Sequence, residues 1–427
     1  MRTALWLLAL FGVAAAVALF AGNNPGSVTL FWPPYRIDLS LNFVLLLATL
    51  AFLTLHLALR ALAAFLALPH QARVWRLRQR ERSLQVDLLD AYSQLAAGRF
   101  VRANKSADSV LVQLAAIETG GESLVYAPRL RAVSHLIAAE AAHALQDHVL
   151  REQHYRQALA QASLCGTPET REGVQLRAAR WALDRGDAAE ALHTLDTMAQ
   201  GASRRTLALR LRLKAARRAG RTLLALETAR LLAKHKALSD AAAQGVLRGL
   251  AVALVDGAHD TDQLQRAWSQ LDSVERSIPE VAVRAAERLL TLGGDPAQCR
   301  KWLLPVWEQM LSRPDALSPQ QRIDVVRALE RGFSGSAGAP DLQWLARIES
   351  AQLQMPGDAL LQYLAGVSCM RLQLWGKARQ LLTHCLSRVP DAGLRSNAWR
   401  LLAELAQQQG EVDAATDAWR NAAKIGA

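Results

Sequence analysis

Two stretches near the N-terminus are uncharged for long enough to cross a bilayer, and they restrict how the rest of the chain can be arranged. From Thr3 to Gly22 the sequence TALWLLALFGVAAAVALFAG runs 20 residues without a charge. That length covers a hydrocarbon core at about 1.5 Å per residue. A second uncharged run goes from Leu39 to Leu59 and stops at Arg60. The rival for the first run is a cleaved signal peptide. Only Arg2 supplies its basic end, no clean Ala-x-Ala site precedes Asn23, and a signal peptide has no use for a second span. The expectation is two retained transmembrane helices, residues 1–22 and 39–68, joined by a short loop, residues 23–38.

Charge gives the orientation. The loop contains turn signals at Asn24-Pro25-Gly26 and Pro33-Pro34, and Phe31, Trp32 and Tyr35 suit a membrane–water interface. Its charges, Arg36 and Asp38, cancel. After the second span Arg60, Arg73, Arg76, Arg78, Arg80 and Arg82 stand against the single acid Glu81. The positive-inside rule therefore places both termini in the cytoplasm and the loop outside. Pro69 is expected to end the second helix. Residues 69–90 then form a separate basic juxtamembrane helix, whose Arg73, Arg76, Arg78, Arg80 and Arg82 meet anionic headgroups at about 1 kcal/mol each.

The remainder reads as all-α. Half of the residues are hydrophobic (51%), yet only 6% are aromatic, and the Ala, Leu and Arg that dominate are strong helix formers. The formal net charge of +12 admits nucleic acid, anionic lipid or an acidic partner. Much of the excess adjoins the spans, and the soluble part has no zinc finger and no RNA-binding aromatic signature, which favours lipid over nucleic acid. Cys165, Cys299, Cys369 and Cys385 are widely spaced with no CxxC. They read as reduced thiols, not as a disulfide or metal framework.

Repeats organise the soluble part. Trp399, Leu402, Ala403 and Ala406 are followed by Gly410, Ala415, Trp419 and Ala422. That is the spacing of a tetratricopeptide repeat, with small residues where two helices cross and large ones between neighbouring hairpins. Trp399, Ala403, Ala415 and Trp419 are expected to face one another inside one hairpin. Gly366, Ala378 and Pro390 recur every twelve residues, as the motif requires. Ala179, Gly186, Ala191 and Leu195 match, as do Gly220, Ala225 and Ala229, and Ala91, Gly98, Ala103 and Ala107. Ala139, Ala142, Tyr155 and Ala158 fit more loosely. No hairpin of this kind buries its own apolar face, so stacking supplies the core. The expected architecture is a tetratricopeptide-like solenoid. Repeats occupy residues 91–240 and 357–427, with degenerate hairpins between, residues 241–356.

The membrane-proximal segments also resemble a known family. WPPYRIDLSLNF, the Leu-rich span closing with LRAL, Leu68-Pro69, the Arg-rich segment after it and LAAGRFVRANKSA (95–107) resemble the N-terminal region of HemY-type proteins. LWGKARQLL (374–382), with Trp302 and Trp307 before it, is similar to the same family. The resemblance implies a two-pass bacterial inner-membrane tetratricopeptide protein tied to haem (tetrapyrrole) biosynthesis. In that setting it would organise or regulate the pathway, with haem-synthesis enzymes among its partners. An unrelated flavin-dependent protoporphyrinogen oxidase shares the name. This chain lacks that enzyme's dinucleotide fingerprint, since residues 332–338 space their glycines as G-x-x-G-x-x-G outside any βαβ context.

Nothing in the sequence reads as catalytic: there is no G-x-S-x-G, P-loop, HExxH or paired-carboxylate motif. His135, His143, His148 and His154 are the densest of ten histidines, at spacings that suit ordinary surface or core positions better than haem or metal ligation. No cofactor is expected, with haem or porphyrin the one left open by the resemblance. Partner binding has a candidate surface. In tetratricopeptide superhelices the first helix of each hairpin lines the groove. Registering on Ala191 and Ala225 puts Arg180 at such a position in one hairpin and Arg210, Lys214 and Arg217 in the next, the last three on one helix face. Such a stripe would attract carboxylates, from a protein or from porphyrin propionates. The alternative is a solvated basic face.

Overall fold

The structure is a computed structural model that describes residues 11–14, 18, 22, 26–121, 124–164, 166–333 and 342–426. The first expected span, residues 1–22, falls outside the described residues except at 11–14, 18 and 22, which are helical.

The loop after it departs from the all-α expectation. Ser27–Trp32 (β1) and Tyr35–Ser40 (β2) form an antiparallel hairpin that pairs Ser27 with Ser40 and Trp32 with Tyr35. Pro33-Pro34 makes the turn. Val28, Thr29, Phe31 and Trp32 prefer extended backbone, and one short tight turn lets them pair. Phe31, Trp32 and Tyr35 are exposed.

Ser40 then caps a 56-residue helix, α1 (Leu41–Ala96), by accepting from the Phe43 amide at 3.3 Å. Its first part, Leu41–Ala63, is 23 residues long with none of it buried, the one helix among the described residues long and apolar enough to cross a membrane. The expected break at Pro69 does not occur, because the helix passes through it. A proline removes one backbone hydrogen bond, a local loss of about 3 kcal/mol, and a helix anchored on both sides absorbs it. The basic segment is thus the middle of α1 and not a helix of its own.

Beyond it the chain is a series of helical hairpins in two compact units, residues 1–158 and 159–427. In the first unit the end of α1 packs on α2 (Phe100–Thr119), burying Leu84, Ala91, Ala103, Ala107, Val110 and Leu114. Asp87 on α1 accepts from Ser109 and Gln113 on α2 at 3.0 and 2.5 Å. Helix α3 (Ala127–Ala144) follows, and α4 (His148–Leu164) carries the chain across the unit boundary.

The second unit comprises α5 (Pro168–Asp184), α6 (Ala188–Asp196), α7 (Thr206–Arg218), α8 (Thr222–Lys234), α9 (Asp240–Asp256), α10 (Thr261–Gln270), α11 (Pro279–Thr291), α12 (Pro296–Ser312), α13 (Pro319–Phe333), α14 (Leu342–Gln354), α15 (Ala359–Arg371), α16 (Trp375–Cys385), α17 (Ala392–Gln408) and α18 (Val412–Gly426).

One turn recurs throughout. The first helix ends on a left-handed residue, and the next amide reaches back to a carbonyl five residues earlier. Asp187 bonds Ala182 this way after Gly186, Arg221 bonds Ala216 after Gly220, and Glu411 bonds Ala406 after Gly410, each at 2.9 Å. Glycine suits the position because it has no Cβ to oppose a positive φ. Gln146 and Gln373 hold the same conformation at other hairpin turns.

The small residues expected at the crossings are buried: Ala179, Ala191, Ala225, Ala229, Ala378 and Ala403 are each 1% exposed or less. At Gly366 the helices approach closely, since a Cβ there would lie 2.8 Å from Leu382 Cγ. The last hairpin only partly matches expectation. Ala403 and Ala415 are buried, but Trp399 is half-buried and Trp419 is 41% exposed on the outer face of α18.

Between residues 241 and 356 the core changes character. Trp268 stacks on Trp302 with ring centroids 4.6 Å apart, and Trp307 meets Trp344 edge-on at 5.9 Å. These indoles are buried packing groups. The α11–α12 hairpin keeps the recurrent turn, with Gly294 bonding Leu289 at 2.8 Å after Gly293.

A cationic face as candidate functional site

Helix α7, TLALRLRLKAARR, interleaves apolar and basic residues and has no acid. Ala208, Leu209, Ala215 and Ala216 turn inward, leaving Arg210, Lys214 and Arg217 exposed on the outer face. Their fates differ. Arg210 donates to the Ala237 carbonyl at 2.8 Å, capping the loop after α8. The side chains of Lys214 and Arg217 have no hydrogen bond or ion pair among the described residues. Arg180 lies on the neighbouring helix α5, where its side chain is 60% exposed and Asp184 of the same helix stands at 4.0 Å. The structure thus places three of the four expected residues on one helix face, keeps two of them unpaired, and occupies Arg180 locally.

Their neighbours are mostly committed. Arg212 pairs with Asp196, Arg205 pairs with Glu172 at 2.6 Å, and Arg218 donates to the Leu183 carbonyl. Farther along the unit, opposite charges meet between helices that are not adjacent in sequence. Arg248 pairs with Glu280 at 3.1 Å, Arg331 with Glu287 at 3.0 Å, Arg327 with Asp391 at 3.0 Å, and Arg322 with Asp358. Those faces neutralise themselves. The face of α7 keeps its charge.

Two clusters that span long sequence separations escaped the sequence reading. His135 on α3 and His154 on α4 bring their Nδ1 atoms to 3.0 Å. Burial pushes the His135 imidazole down to about 4, with His154 and Arg131 adding to the effect. Burial also lowers His154, against the pull of Asp108. No third histidine, cysteine or carboxylate joins them in a metal-binding group among the described residues. In the second unit, Glu330, Tyr363 and Asn397 form a hydrogen-bonded triangle. Burial pushes the Glu330 carboxyl up, opposed by the hydrogen bond from Tyr363 and by Arg327, Arg331 and Arg371. Cys385 stands near Tyr363 in the second cluster. Cys299 and Cys385 are buried, and burial pushes each thiol up to about 12, far from thiolate chemistry at neutral pH. Cys165 lies outside the described residues.

Comparison with known proteins now bears on the N-terminal part. Residues 26–146 match the family described as HemY protein N-terminus, a match that takes in the β-hairpin, all of α1, α2 and α3. The N-terminal part of this chain is thus similar to HemY-type proteins.

It is not of the oxidase type that shares the name, since among the described residues the only strands are those of the hairpin and no βαβ unit exists. The glycine run expected to carry no dinucleotide lies mostly outside the described residues, at 334–340. No curated protein matches this chain. Among solved structures it is similar to a tetratricopeptide repeat protein from Parabacteroides merdae, at 12% identity over 70% of this chain and 94% of that one, with a TM-score of 0.27. It is also similar to the APC/C hetero-tetramer Cut9–Hcn1, at 14% identity, 78% and 65% coverage and a TM-score of 0.28. A third is the P58(IPK) TPR domain, at 12% identity, 80% and 98% coverage and a TM-score of 0.19. The helical-repeat fold rests on the hairpins themselves.

The arginines expected at the membrane surface also have places. Arg76, Arg78, Arg80 and Arg82 are exposed on α1, and Glu81 among them accepts from Tyr126 at 2.9 Å. The side chain of Arg73 lies outside the described residues.

Proposed function

We propose that the chain is a membrane-anchored helical-repeat scaffold or regulator of haem (tetrapyrrole) biosynthesis, binding protein partners at the cytoplasmic face of the inner membrane. The observation that carries this reading is the continuity of α1. One helix begins as an exposed apolar span, passes through four exposed arginines and ends as the first helix of a repeat hairpin. A helix built this way ties a partner-binding module directly to a bilayer. Anionic headgroups suit Arg76, Arg78, Arg80 and Arg82 and, by sequence, Arg73, at about 1 kcal/mol each. Arg180, Arg210, Lys214 and Arg217 supply the partner-facing charge, with Lys214 and Arg217 the available pair.

Crosslinking in native membranes followed by mass spectrometry tests the reading. Enzymes of tetrapyrrole synthesis should be captured by the natural chain and lost when Arg210, Lys214 and Arg217 are all changed to Glu. Capture that survives the reversal at physiological salt would reduce the stripe to a solvated surface. A Soret band at stoichiometric occupancy in the purified chain would replace the scaffold with a porphyrin carrier.

A further inference from the structure

Helix α7 borders an open cavity of about 360 Å³, placed where α7 ends, α8 begins and α9 passes. Arg217 and Thr222 form one side, and Gly245, Val246, Gly249 and Leu250 the other. Arg217 is unpaired among the described residues, and so is Arg221 at the head of α8. Gly245 and Gly249 are one helical turn apart, and a Cβ added at either would meet nothing within 4 Å. Glycine is among the weakest helix formers, and no close contact inside the chain requires it at these two positions. The backbone of α9 is therefore open to whatever lies in the groove.

Charge fixes the sign of the occupant. Between Arg204 and Leu226 there are eight Lys or Arg residues and no acid. Glu172 and Asp196 neutralise two of them, Arg205 and Arg212. The bonds of Arg210 and Arg218 go to neutral carbonyls and leave their charge in place. The lining contains no aromatic ring on which a flat macrocycle could stack. Its aliphatic wall of Val246, Leu250 and Ala253 offers nothing to a bare phosphate. Apolar side chains beside an open backbone, with a cation at the end, suit a peptide that carries carboxylates.

We propose that this groove seats an acidic segment of a partner protein, lying along α9 against Gly245 and Gly249 with a carboxylate on Arg217. The assignment names the partner class for the cationic face and rests on that reading. A charge change at Arg217 and a steric change at Gly249 separate the two. Gly249→Leu projects into open space and replaces a poor helix former with a good one, so folding is retained.

The probe is a short fluorescein-labelled peptide of alternating Glu-rich and Leu-rich turns. Its binding to the full chain in detergent micelles is followed by anisotropy, with circular dichroism melting as the folding control. Arg217→Glu and Gly249→Leu should each weaken binding by at least about tenfold, the scale of one charge-assisted or close-packed contact, while Gly249→Ala changes it little. Gly245→Leu repeats the steric test from the adjacent turn should Gly249→Leu melt early. If Arg217→Glu weakens binding but both leucine variants bind normally, the groove is wrong and the cationic face stands. If Arg217→Glu also binds normally, both readings fall. A Gln-for-Glu peptide that binds equally well, or full competition by anionic vesicles or by a free porphyrin, would overturn the acidic-peptide assignment.

Discussion

The Tyr363 hydroxyl donates to Glu330 Oε1 at 2.7 Å across 33 residues of sequence, and Asn397, 34 residues further on, donates to both. Those offsets are the length of one helical hairpin repeat. The three residues lie on α13, α15 and α17, alternate helices of the stack that the hairpin fold brings side by side. Tyr363 is fully buried, and burial with the adjacent carboxylate pushes its phenol well above the usual range.

Tyr363→Phe should destabilise the second unit by about 1–3 kcal/mol, the cost of leaving buried polar groups short of a partner. Denaturant unfolding measures it. Glu330 adds a pH signature. Its folded carboxyl titrates above its unfolded value, so the folded state holds the extra proton, and the stability this gives is lost as pH rises through the folded pKa. Glu330→Gln should therefore flatten the decline of stability with rising pH. An unchanged slope would remove Glu330 as its source.

His135 works in the opposite direction. Its imidazole is lowered to about 4 from 6.5, so between those values the unfolded chain binds a proton that the folded chain refuses. Stability should fall as pH drops through that window. After discounting for its half-exposure, the loss is roughly 1–2 kcal/mol. His135→Gln should remove most of that acid sensitivity in melting curves recorded from pH 7 to pH 4, and equal slopes for both proteins would count against the assignment.

Gly366 tests the helix crossing. Gly366→Val puts a side chain into Leu382 and should cost about 1–3 kcal/mol through overpacking. Leu382→Ala in the same chain should return part of that loss, because the two residues share one space. Additive penalties in a double-mutant cycle would show that they do not.

Topology follows from the arginine asymmetry. A reporter active only in the cytoplasm should work when fused after Ala427 and fail when inserted near Ser27. The reverse pattern would overturn the orientation.

Much of the repeat fold was legible because its signals are local. Gly186, Gly220 and Gly410 mark left-handed turns, and Ala191, Ala225 and Ala403 mark crossings, all readable at fixed spacing. The middle of the chain hid its hairpins for a physical reason: Trp268, Trp302, Trp307 and Trp344 fill the core there in place of small residues, so the consensus vanishes while the helices persist. The β-hairpin was masked by reading Phe31, Trp32 and Tyr35 for their interface preference and not for their extended one. Pro69 misled because a local rule about helix breaking yielded to a helix held at both ends. The contacts of His135 with His154, and of Glu330 with Tyr363, needed the repeat offset before any sequence signal existed. On the cationic face, the positions of Arg210, Lys214 and Arg217 could be foreseen. The carbonyl that engages Arg210 could not.

The unbroken course of α1 makes azimuth a property of the anchor. From Ala63, where the apolar span ends, to Leu77, the first of the described side chains packed against the α2 core, there are fourteen residues, about 21 Å of helix. Because the helix continues through Pro69, the direction in which α2 faces is set by phase relative to the span. Inserting one alanine in this stretch turns that direction by about 100°, whereas inserting seven returns it to within about 20° and lifts it by about 10 Å. Alanine insertions of one to seven residues would thus separate what depends on the facing of the first repeat from what depends only on its height above the bilayer.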